Sequence, residues 1–453
     1  RLARGEIVAV RGLGGFHLAC AAANANAVRT LRQRKIRDMK PFALLVRDTE
    51  SARKIAHVSA EEETSLSGRE RPIVLLKKRL GHGIAEEVAP RSAGFGIMLP
   101  YTPIHYLLMQ GALSALVFTS GNKSDEPISF SNDDALTRLS NLADCFLLHD
   151  RDIHIRTDDS VVRVALGRPR FLRRSRGYAP FPVSLPVDTT GHEILATGPE
   201  LSATLCVTRG SHAFLSHHLG DLEHLAAYES FLQATGHLSN LLAVTPRHVA
   251  CDLHPGYAST RYAKSTGLPC IIVQHHHAHI ASVLIEAGRT ERVIGVSFDG
   301  LGWGDDGALW GGEFLVCDLG DYERLAHLRY VPQPGGDACA KRPLRMAYVY
   351  LREAFETEAK MYVGRVLKDL DPEEQVLIDR LIQRKVNCPK TSSMGRLFDA
   401  ASAILGICSR NTYHAQAPME LEACASETAG EQGFYEARTK DESGSIEIDA
   451  GDI

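Results

Sequence analysis

Short apolar runs that alternate with charged, helix-like stretches are the feature that most limits the fold of this chain. Runs such as EIVAV, PFALLV and ALVFTS have the length and composition of strands, whereas NANAVRTLRQRK begins at an asparagine suited to cap a helix. A later series, which includes ILATG, HVACD and VIGVSFDG, again ends each apolar run in polar or glycine residues. The pattern predicts an α/β protein with ligand sites at strand ends.

A proline-rich stretch, APFPVSLPVDTTG at 179–191, separates the two series. Because 453 residues are more than one hydrophobic core commonly serves, we expect two domains, residues 1–186 and residues 190–453. Residues 356–385 are charged and amphipathic, which predicts a helical insertion. The last residues, ESGSIEIDAGDI, stop on a strand-like fragment, so we expect the second domain to be truncated.

Charge and cysteine usage exclude several classes of protein. Lys and Arg total 51 against 55 Asp and Glu, so the net charge of -4 offers no general attraction to nucleic acid or to an anionic membrane. No apolar run approaches the roughly 20 residues of a spanning helix, and the start does not resemble a signal peptide. Ten scattered cysteines without a Cys-x-x-Cys pair argue against structural zinc and favour a reducing compartment. We therefore expect a cytoplasmic protein.

Two segments of the first domain could bind phosphate. RKIRDMKP places Lys35, Arg37 and Lys40 at the end of a predicted helix, where cations could neutralise a triphosphate or simply favour the helix C-terminus. TSGNKSDEP follows a strand, so Ser120 and Asn122 could offer donors to phosphate or form a turn without function. The residue types leave both alternatives open in each segment.

Two further segments of this domain carry charge. HDRDIHIRTDDS contains Arg156 and the adjacent pair Asp158 and Asp159, which could hold Mg²⁺ or orient arginines. RRSRGYAP contains Arg174. Near the start of the chain, RGLGGFH follows a strand, where glycines allow a backbone to approach a ligand or make a tight turn.

The second domain carries a candidate metal site. In VQHHHAHI, His275 and His279 are four residues apart, which puts two imidazoles on one face of a helix, whereas His276 and His277 are expected to point elsewhere. The strand VIGVSFD ends in Asp299, a natural third ligand. A cluster of histidines in the core or on the surface is the alternative to a metal site.

A glycine-rich loop, GLGWGDDGALWGGE, follows Asp299 directly. Its glycines predict a phosphate cradle, with a plain β-hairpin as the alternative. Downstream, TSSMGRLFD could contact phosphate or a nucleoside at a helix N-terminus, or simply cap that helix. The glycines expected to bind nucleotide are Gly300, Gly302, Gly304, Gly311 and Gly312.

The motifs of the first domain, in their order, resemble the YrdC/Sua family. They are RGLGGFH, RKIRDMKPFALLV, TSGNKSDEPI, RTDDSV and RRSRGYAP. The resemblance implies a twisted mixed sheet that binds ATP through Lys35, Arg37, Ser120 and Asn122 and forms an acyl-adenylate. Lys35 and Arg37 would then be catalytic, with Lys40, Arg156 and Arg174 as further nucleotide contacts.

VQHHHAHIASV, SFDGLGWGDDGALWGGEF, ACDLHPGYASTRYA and TSSMGRLFDAASAILG resemble the TsaD-like domain of the HypF family. The resemblance implies an actin/Hsp70-like ATPase fold in which His275, His279 and Asp299 hold a divalent metal (Zn, Fe or Mg), with Asp299 also catalytic. The tandem of a YrdC-like and a TsaD-like domain is similar to HypF rather than to the separate tRNA-modifying proteins. The chain departs from the family's usual residues at Ser202 and His414.

The resemblance to HypF implies a carbamoyltransferase of [NiFe]-hydrogenase maturation. Carbamate, released from carbamoyl phosphate, would be activated with ATP and Mg²⁺ to carbamoyl-adenylate, and the carbamoyl group would pass to the C-terminal cysteine of HypE. One alternative is an O-carbamoyltransferase that acts on a small hydroxylated acceptor. Another is an RNA-binding YrdC-type module, which the acidic net charge disfavours.

Overall fold

The computed structural model describes residues 1–111, 113–123, 126–355, 358–427, 437–442 and 444–451. The chain divides into two compact units. Unit 1 comprises Arg1–Val183, Asp188–Ala250 and Tyr257–Cys270, and unit 2 comprises Ser184–Val187, Cys251–Gly256 and Ile271–Ile453. Compactness therefore groups residues 188–250 with the first part of the chain, whereas the sequence pattern divides the chain at 186–190. The domain boundary stays a prediction.

The first 183 residues form a mixed sheet of nine described strands. Its order is β7-β1-β2-β6-β3-β5-β4-β8-β9, with parallel pairs β1/β7, β3/β5 and β4/β8 and the other neighbours antiparallel. The predicted mixed α/β architecture is confirmed. The strands are β1 (Val8–Arg11), β2 (Phe16–Ala21), β3 (Ala43–Val46), β4 (Ile73–Lys77), β5 (Gly94–Met98), β6 (Ala115–Ser120), β7 (Cys145–Leu147), β8 (Val161–Ala165) and β9 (Arg168–Arg173).

Helices cover this sheet because its central strands are apolar on both faces. Strand β2 is buried throughout, and Leu18, Leu44 and Val117 from three neighbouring strands are fully buried in one core. Asn24 caps the first helix as predicted, since its side chain accepts a hydrogen bond from the Ala27 amide at 3.1 Å. The helices are α1 (Ala25–Lys35), α2 (Thr49–Ile55), α3 (Ala60–Ser67), α4 (Pro103–Leu108) and α5 (Asn132–Arg138).

A second sheet follows, in the order β10-β13-β12-β11-β14-β15. Strands β12 and β13 form an antiparallel hairpin, and β11 pairs in parallel with β14. The strands are β10 (Pro182–Ser184), β11 (Ile194–Ala196), β12 (Cys206–Arg209), β13 (His212–Leu215), β14 (His248–Asp252) and β15 (Cys270–Val273). The helices are α6 (Leu225–Leu242), α7 (Ala258–Ser265) and α8 (His275–Glu286).

Unit 2 contains a third sheet, in the order β19-β20-β17-β18-β22-β21, with β16 paired to β17. The strands are β16 (Val293–Trp303), β17 (Leu309–Cys317), β18 (Tyr322–Leu328), β19 (Val331–Pro332), β20 (Lys390–Thr391), β21 (Arg438–Glu442) and β22 (Ser445–Asp449). The helices are α9 (Ala338–Lys341), α10 (Pro343–Phe355), α11 (Ala359–Val366), α12 (Pro372–Arg384), α13 (Met394–Ile404) and α14 (Gln416–Glu427).

Helices α11 and α12 lie where the charged amphipathic stretch predicts helix, although residues 356–357 of that stretch fall outside the described residues. Their apolar faces join a core in which Met346, Ile378 and Ala400 are buried. Among the described helices, none combines the length and the apolar composition needed to cross a membrane.

Candidate functional site

Lys35 lies at the end of α1 and is 3% exposed, yet it contacts the turn after β6. Its ammonium group donates to the carbonyls of Ser120 at 2.8 Å and Asn122 at 2.5 Å, and to Asn122 Oδ1 at 2.7 Å. The Ser120 hydroxyl also donates to Asn122 Oδ1, at 2.7 Å. Residues singled out in two separate motifs are thus brought together.

Arg37 reaches the same region because the chain reverses directly after α1. Ile36 adopts a left-handed conformation, with φ of 50°, and ends the helix. The Arg37 guanidinium then stacks on Phe42 at 4.8 Å and contacts Thr119 Oγ1 at 3.4 Å, one residue before Ser120. We call Lys35, Arg37, Ser120 and Asn122 the lysine site. Lys40 is exposed and its carbonyl accepts from Arg37 at 3.1 Å.

The other predicted cations of unit 1 are held elsewhere. Arg156 donates to Ser230 Oγ at 2.5 Å, and burial lowers the pKa of its guanidinium. Arg174 donates to the carbonyls of Tyr178 and Phe181 at 2.9 and 2.8 Å. Each of these arginines therefore donates hydrogen bonds to protein atoms that are not part of the lysine site.

Of the adjacent aspartates of RTDDS, Asp159 orients an arginine, which is the second of the two predicted roles, whereas Asp158 pairs with a histidine. Asp159 binds Arg176 at 2.7 Å and His17 at 3.1 Å, and Asp158 lies 3.3 Å from His218 Nδ1. Burial raises the pKa of Asp158, but hydrogen bonding to His218 and nearby positive charge outweigh it and lower the pKa to about 2. Both carboxylates are ionised at neutral pH and paired within unit 1.

In unit 2, His275 and His279 occupy the first turns of α8. Gln274 caps this helix, since its Oε1 accepts from the His277 amide at 2.9 Å. His275 Nε2 lies 3.1 Å from Asp299 Oδ2, His279 Nε2 lies 3.7 Å from the same oxygen, and the two Nε2 atoms are 3.2 Å apart. One ligand atom from each residue falls within 4.8 Å of the others. We call these three residues the histidine site.

The donor set of the histidine site fits a divalent cation. Two imidazole nitrogens and one carboxylate oxygen are the ligands that Zn²⁺ and Fe²⁺ take from proteins. Burial would lower the pKa of His275, but Asp252 and Asp299 raise it to about 9. Burial would raise the pKa of Asp299, but the two histidines hold it well below its usual range. The cluster therefore concentrates a carboxylate charge where a cation would lie.

The two remaining histidines of the motif differ from each other. His277 points away, as expected, and its Nε2 lies 2.7 Å from the Asp318 carbonyl. His276 departs from the expectation, because its Nε2 lies 3.9 Å from Asp299 Oδ2. The His276 ring is fully buried, and burial lowers its pKa to about 3, so it is neutral. The buried His276 ring therefore packs next to Asp299 of the histidine site.

The glycine-rich loop forms a β-hairpin, in which β16 and β17 pair antiparallel. At four of the five glycines named above, other parts of the chain pack too closely for a side chain to fit. A Cβ on Gly302 would lie 2.3 Å from His276 Cε1 and 2.8 Å from His275 Cδ2, and one on Gly311 would lie 2.6 Å from the Asp299 carbonyl. Gly304 is packed against Trp310 and Gly312 against the Ser392 carbonyl, whereas Gly300 faces open space. Nucleotide binding by these glycines stays a prediction.

The TSSMGRLFD segment caps α13 and contacts β16 at Asp299, which lies within this strand and not at its end as the sequence predicts, because β16 continues to Trp303 past a register shift. Ser393 Oγ accepts from the Arg396 amide at 3.1 Å and lies 3.1 and 2.8 Å from the carbonyls of Asp299 and Gly300. Asp399 is buried beside Arg396 at 2.7 Å. The segment is therefore a capped helix whose N-terminus supports the histidine site.

Asp252, at the end of β14, is the residue of this region to which sequence reasoning gives no role. Its Oδ2 lies 2.7 Å from His275 Nδ1. The available signal is that HVACD ends in an aspartate, as VIGVSFD does, but the two are far apart in sequence. Only the tertiary structure brings Asp252 to His275.

Three family models match the chain in succession. Residues 1–175 match the Sua5/YciO/YrdC model described as telomere recombination, residues 189–286 match the HypF Kae1-like domain, and residues 295–452 match the second subdomain of the carbamoyltransferase Kae1-like domain. Together they cover nearly the whole chain. The YrdC-like and TsaD-like (Kae1-like) domains that the motifs predict are confirmed.

Curated relatives agree with these matches. Carbamoyltransferase HypF2 of Cupriavidus necator is 45% identical over 95% of this chain and 55% of its own length, and a probable carbamoyltransferase HypF of Methanocaldococcus jannaschii is 37% identical over 95% and 56%. The chain thus spans a little more than half the length of the curated relatives it matches.

A solved structure of full-length HypF in the phosphate- and nucleotide-bound form superposes on the chain with a TM-score of 0.93, at 44% identity. The superposition covers 99% of this chain and 58% of the solved HypF chain. A crystal structure of T. kodakarensis HypF gives a TM-score of 0.91 at 34% identity, over 98% of this chain and 60% of its own. The chain therefore belongs to the HypF family, of which it carries the Sua5/YrdC-like and Kae1-like domains.

Proposed function

We propose that this chain is the carbamoyl-activating and carbamoyl-transferring part of a hydrogenase maturation carbamoyltransferase. In the first reaction a carbamate oxygen attacks the α-phosphorus of ATP, and the bond to the bridging oxygen breaks to release pyrophosphate. In the second, a thiolate attacks the carbonyl carbon of carbamoyl-adenylate, and AMP leaves with the bonding electrons. The first reaction is assigned to a domain of residues 1–186 and the second to a domain of residues 190–453.

The lysine site suits the first reaction because it gathers cationic and hydrogen-bonding groups at one strand end. Transfer at phosphorus needs positive charge along the triphosphate more than covalent help from the protein. Lys35 carries its charge to the 120–122 turn and fixes the shape of that turn by three hydrogen bonds. Arg37 supplies a second cation beside Thr119. Lys40, Arg156 and Arg174 are further candidate phosphate contacts, and the nucleotide would bring Mg²⁺.

A relative supports the nucleotide assignment. The solved full-length HypF is described in a phosphate- and nucleotide-bound form, and it superposes on this chain at 44% identity. We infer that this chain also binds ATP. The glycines at 300, 302, 304, 311 and 312 are proposed as a second place of nucleotide contact, and Gly300 is the one with open space beside it.

The histidine site suits the second reaction. His275, His279 and Asp299 would hold a divalent metal, which as a Lewis acid supplies polarisation of a carbonyl. The protein's own contribution is to keep the three ligand atoms within 4.8 Å and to back them with the buried ring of His276. Because Asp299 also takes part in orienting both histidines, it is the proposed catalytic carboxylate of this unit.

The proposed acceptor is HypE, through its C-terminal cysteine. The support is membership of the HypF family, whose curated relatives are named carbamoyltransferases. Carbamate or carbamoyl phosphate and ATP are the proposed small substrates. The observation that carries the whole proposal is that one chain holds both a cationic strand-end turn and a compact His-His-Asp cluster.

Two assays on the chain test this proposal. Carbamate-dependent exchange of labelled pyrophosphate into ATP measures the first reaction. Transfer of a carbamoyl group from supplied carbamoyl-adenylate to a peptide ending in the HypE cysteine, followed by mass spectrometry, measures the second. We expect both activities, with the peptide cysteine replaced by serine as the control acceptor. Exchange that does not depend on carbamate, or equal labelling of the serine peptide, would contradict the assignment.

A further inference from the structure

We propose that Asp252 is a positioning residue that fixes which nitrogen of His275 faces the metal. The inference rests on the proposed metal at the histidine site and extends it by one residue outside the ligand set. Asp252 closes β14 and its side chain is 5% exposed, so it is held at a fixed place in unit 2. Its carboxylate contacts the Nδ1 edge of the His275 ring, whereas Asp299 contacts the Nε2 edge.

The two oxygens of Asp252 have different partners. Oδ1 accepts from the backbone amide of His254 at 2.8 Å, and Oδ2 lies 2.7 Å from His275 Nδ1. A carboxylate offers only acceptors, so His275 Nδ1 must carry the hydrogen of this contact. With one oxygen anchored to the backbone, the other cannot move away from the ring without breaking the turn at His254.

The consequence for His275 is a defined tautomer. When Nδ1 carries the hydrogen, Nε2 of the neutral ring has its lone pair directed at the cluster, 3.1 Å from Asp299 Oδ2 and 3.2 Å from His279 Nε2. Carboxylates that orient a ligating histidine in this way commonly contribute a factor of about 10 to 100 in metal affinity. The position of Asp252 predicts a contribution of this size.

The competing explanation is that Asp252 only stabilises a turn. Asp318 does this in the same unit, since its Oδ1 accepts from the amides of Gly320 and Asp321 at 2.8 and 3.1 Å. Asp318 directly follows β17 and Asp252 is the last residue of β14, and each accepts from the amide two residues later. Asp318→Asn is therefore a matched control, because it alters the same kind of turn without touching the side chain of a proposed ligand.

The decisive variant is Asp252→Asn, which keeps the size of the side chain but leaves only one acceptor oxygen. The amide must then either give up the His254 contact or turn its NH₂ toward His275 Nδ1, which would force the hydrogen onto Nε2. Asp252→Ser provides a second test if the asparagine variant folds poorly. A serine hydroxyl can still accept from the His254 amide but is too short to orient the ring.

The measurement is the affinity of the chain for Zn²⁺ alone, by competition with a fluorescent zinc chelator, with thermal unfolding to verify the fold. We expect affinity to fall about 10- to 100-fold in Asp252→Asn and further in Asp252→Ser, with Asp318→Asn unchanged. The ¹⁵N shifts of His275 in metal-free wild-type protein, recorded above its pKa of about 9 so that the ring is neutral, should show hydrogen on Nδ1.

The outcomes separate this inference from the proposed function. Unchanged zinc affinity in both folded Asp252 variants would overturn the positioning role while leaving the metal site intact. Absence of zinc binding by the wild type would overturn the metal assignment and the positioning role together. The peptide carbamoylation assay tests the proposed function separately, because it is carried out on wild-type protein and does not depend on the role of Asp252.

Discussion

The lysine site of unit 1 and the histidine site of unit 2 are built on opposite principles. At the lysine site the buried Lys35 ammonium donates to two main-chain carbonyls and one side-chain amide oxygen. At the histidine site the contacts join ionisable groups, and Asp299 faces two imidazoles. An ammonium group attracts an anion, whereas a carboxylate flanked by imidazoles attracts a cation. The difference agrees with the phosphate-binding role that we propose for the lysine site and the metal-binding role that we propose for the histidine site.

The largest expected effect comes from breaking the histidine site. His279→Ala removes one of three ligand atoms, so we expect carbamoyl transfer to the HypE peptide to fall at least about 100-fold. Pyrophosphate exchange should be unchanged, because the lysine site does not use this residue. His414→Ala, at an exposed position of the same unit, is the control. Equal loss of both reactions in His279→Ala would show that the two sites do not have separate roles.

The next effect concerns the lysine site. Lys35→Met keeps most of the buried volume but removes the charge, and we expect pyrophosphate exchange to fall about 100-fold. The variant also removes the Lys35 donor from the 120–122 turn, and each acceptor then left unsatisfied costs about 1–3 kcal/mol. Asn122 Oδ1 keeps its hydrogen bond from the Ser120 hydroxyl. Transfer from supplied carbamoyl-adenylate should persist in protein that remains folded.

Lys54→Met is the matched control for this prediction, since Lys54 is 71% exposed and forms a surface ion pair with Glu50 one helical turn away. We expect neither exchange nor stability to change measurably. Pyrophosphate exchange at the wild-type rate in folded Lys35→Met would contradict the assignment of carbamate activation to the lysine site.

Much of this arrangement could be predicted from the sequence, and the remainder depends on long-range contacts. Alternating apolar runs fix the α/β class, and the i, i+4 spacing of His275 and His279 fixes their common helix face, because both rest on local periodicity. The placement of Asp252 against His275 and of His276 near Asp299 depends on how strands and a helix pack. No local pattern carries that information.

The same limit applies to the glycine-rich loop. Its composition is compatible with a phosphate cradle and with a hairpin, and only the register of β16 on β17 decides the backbone path. Likewise, Asp158 and Asp159 could hold Mg²⁺ or bind basic residues until the positions of Arg176 and His218 are known. The sequence therefore indicates which kinds of residue form a site more reliably than it indicates which atoms are in contact there.

A smaller effect is expected from Gly302→Ala, which tests how closely the hairpin must approach α8. The added methyl group would lie 2.3 Å from His276 and 2.8 Å from His275, so overpacking should cost about 1–3 kcal/mol and weaken zinc binding. Gly236→Ala, in α6 with open space around it, should instead stabilise the chain by about 0.5–1 kcal/mol. Chemical denaturation measures both. Unaltered stability and zinc affinity in Gly302→Ala would argue against close packing there.

The smallest expected effect is on stability and comes from removing a helix cap in each of the two units. Ser393→Ala removes the cap of α13 and its contacts with Asp299 and Gly300, and Ser131→Ala removes the cap of α5. Each should cost about 1 kcal/mol of unfolding free energy. Only Ser393→Ala should also lower zinc affinity, by a few-fold, because its cap supports the Asp299 strand. Lowered affinity in both variants would point to a global effect rather than a local one.

A crystal of the chain soaked with ATP and Zn²⁺ tests the central claim most directly. We predict an anomalous zinc peak at about 2.0–2.2 Å from His275 Nε2, His279 Nε2 and an Asp299 oxygen, with nucleotide phosphates in contact with the 120–122 turn. Zinc bound away from these three residues, or a nucleotide that leaves the Lys35 turn untouched, would contradict the division of labour between the two sites.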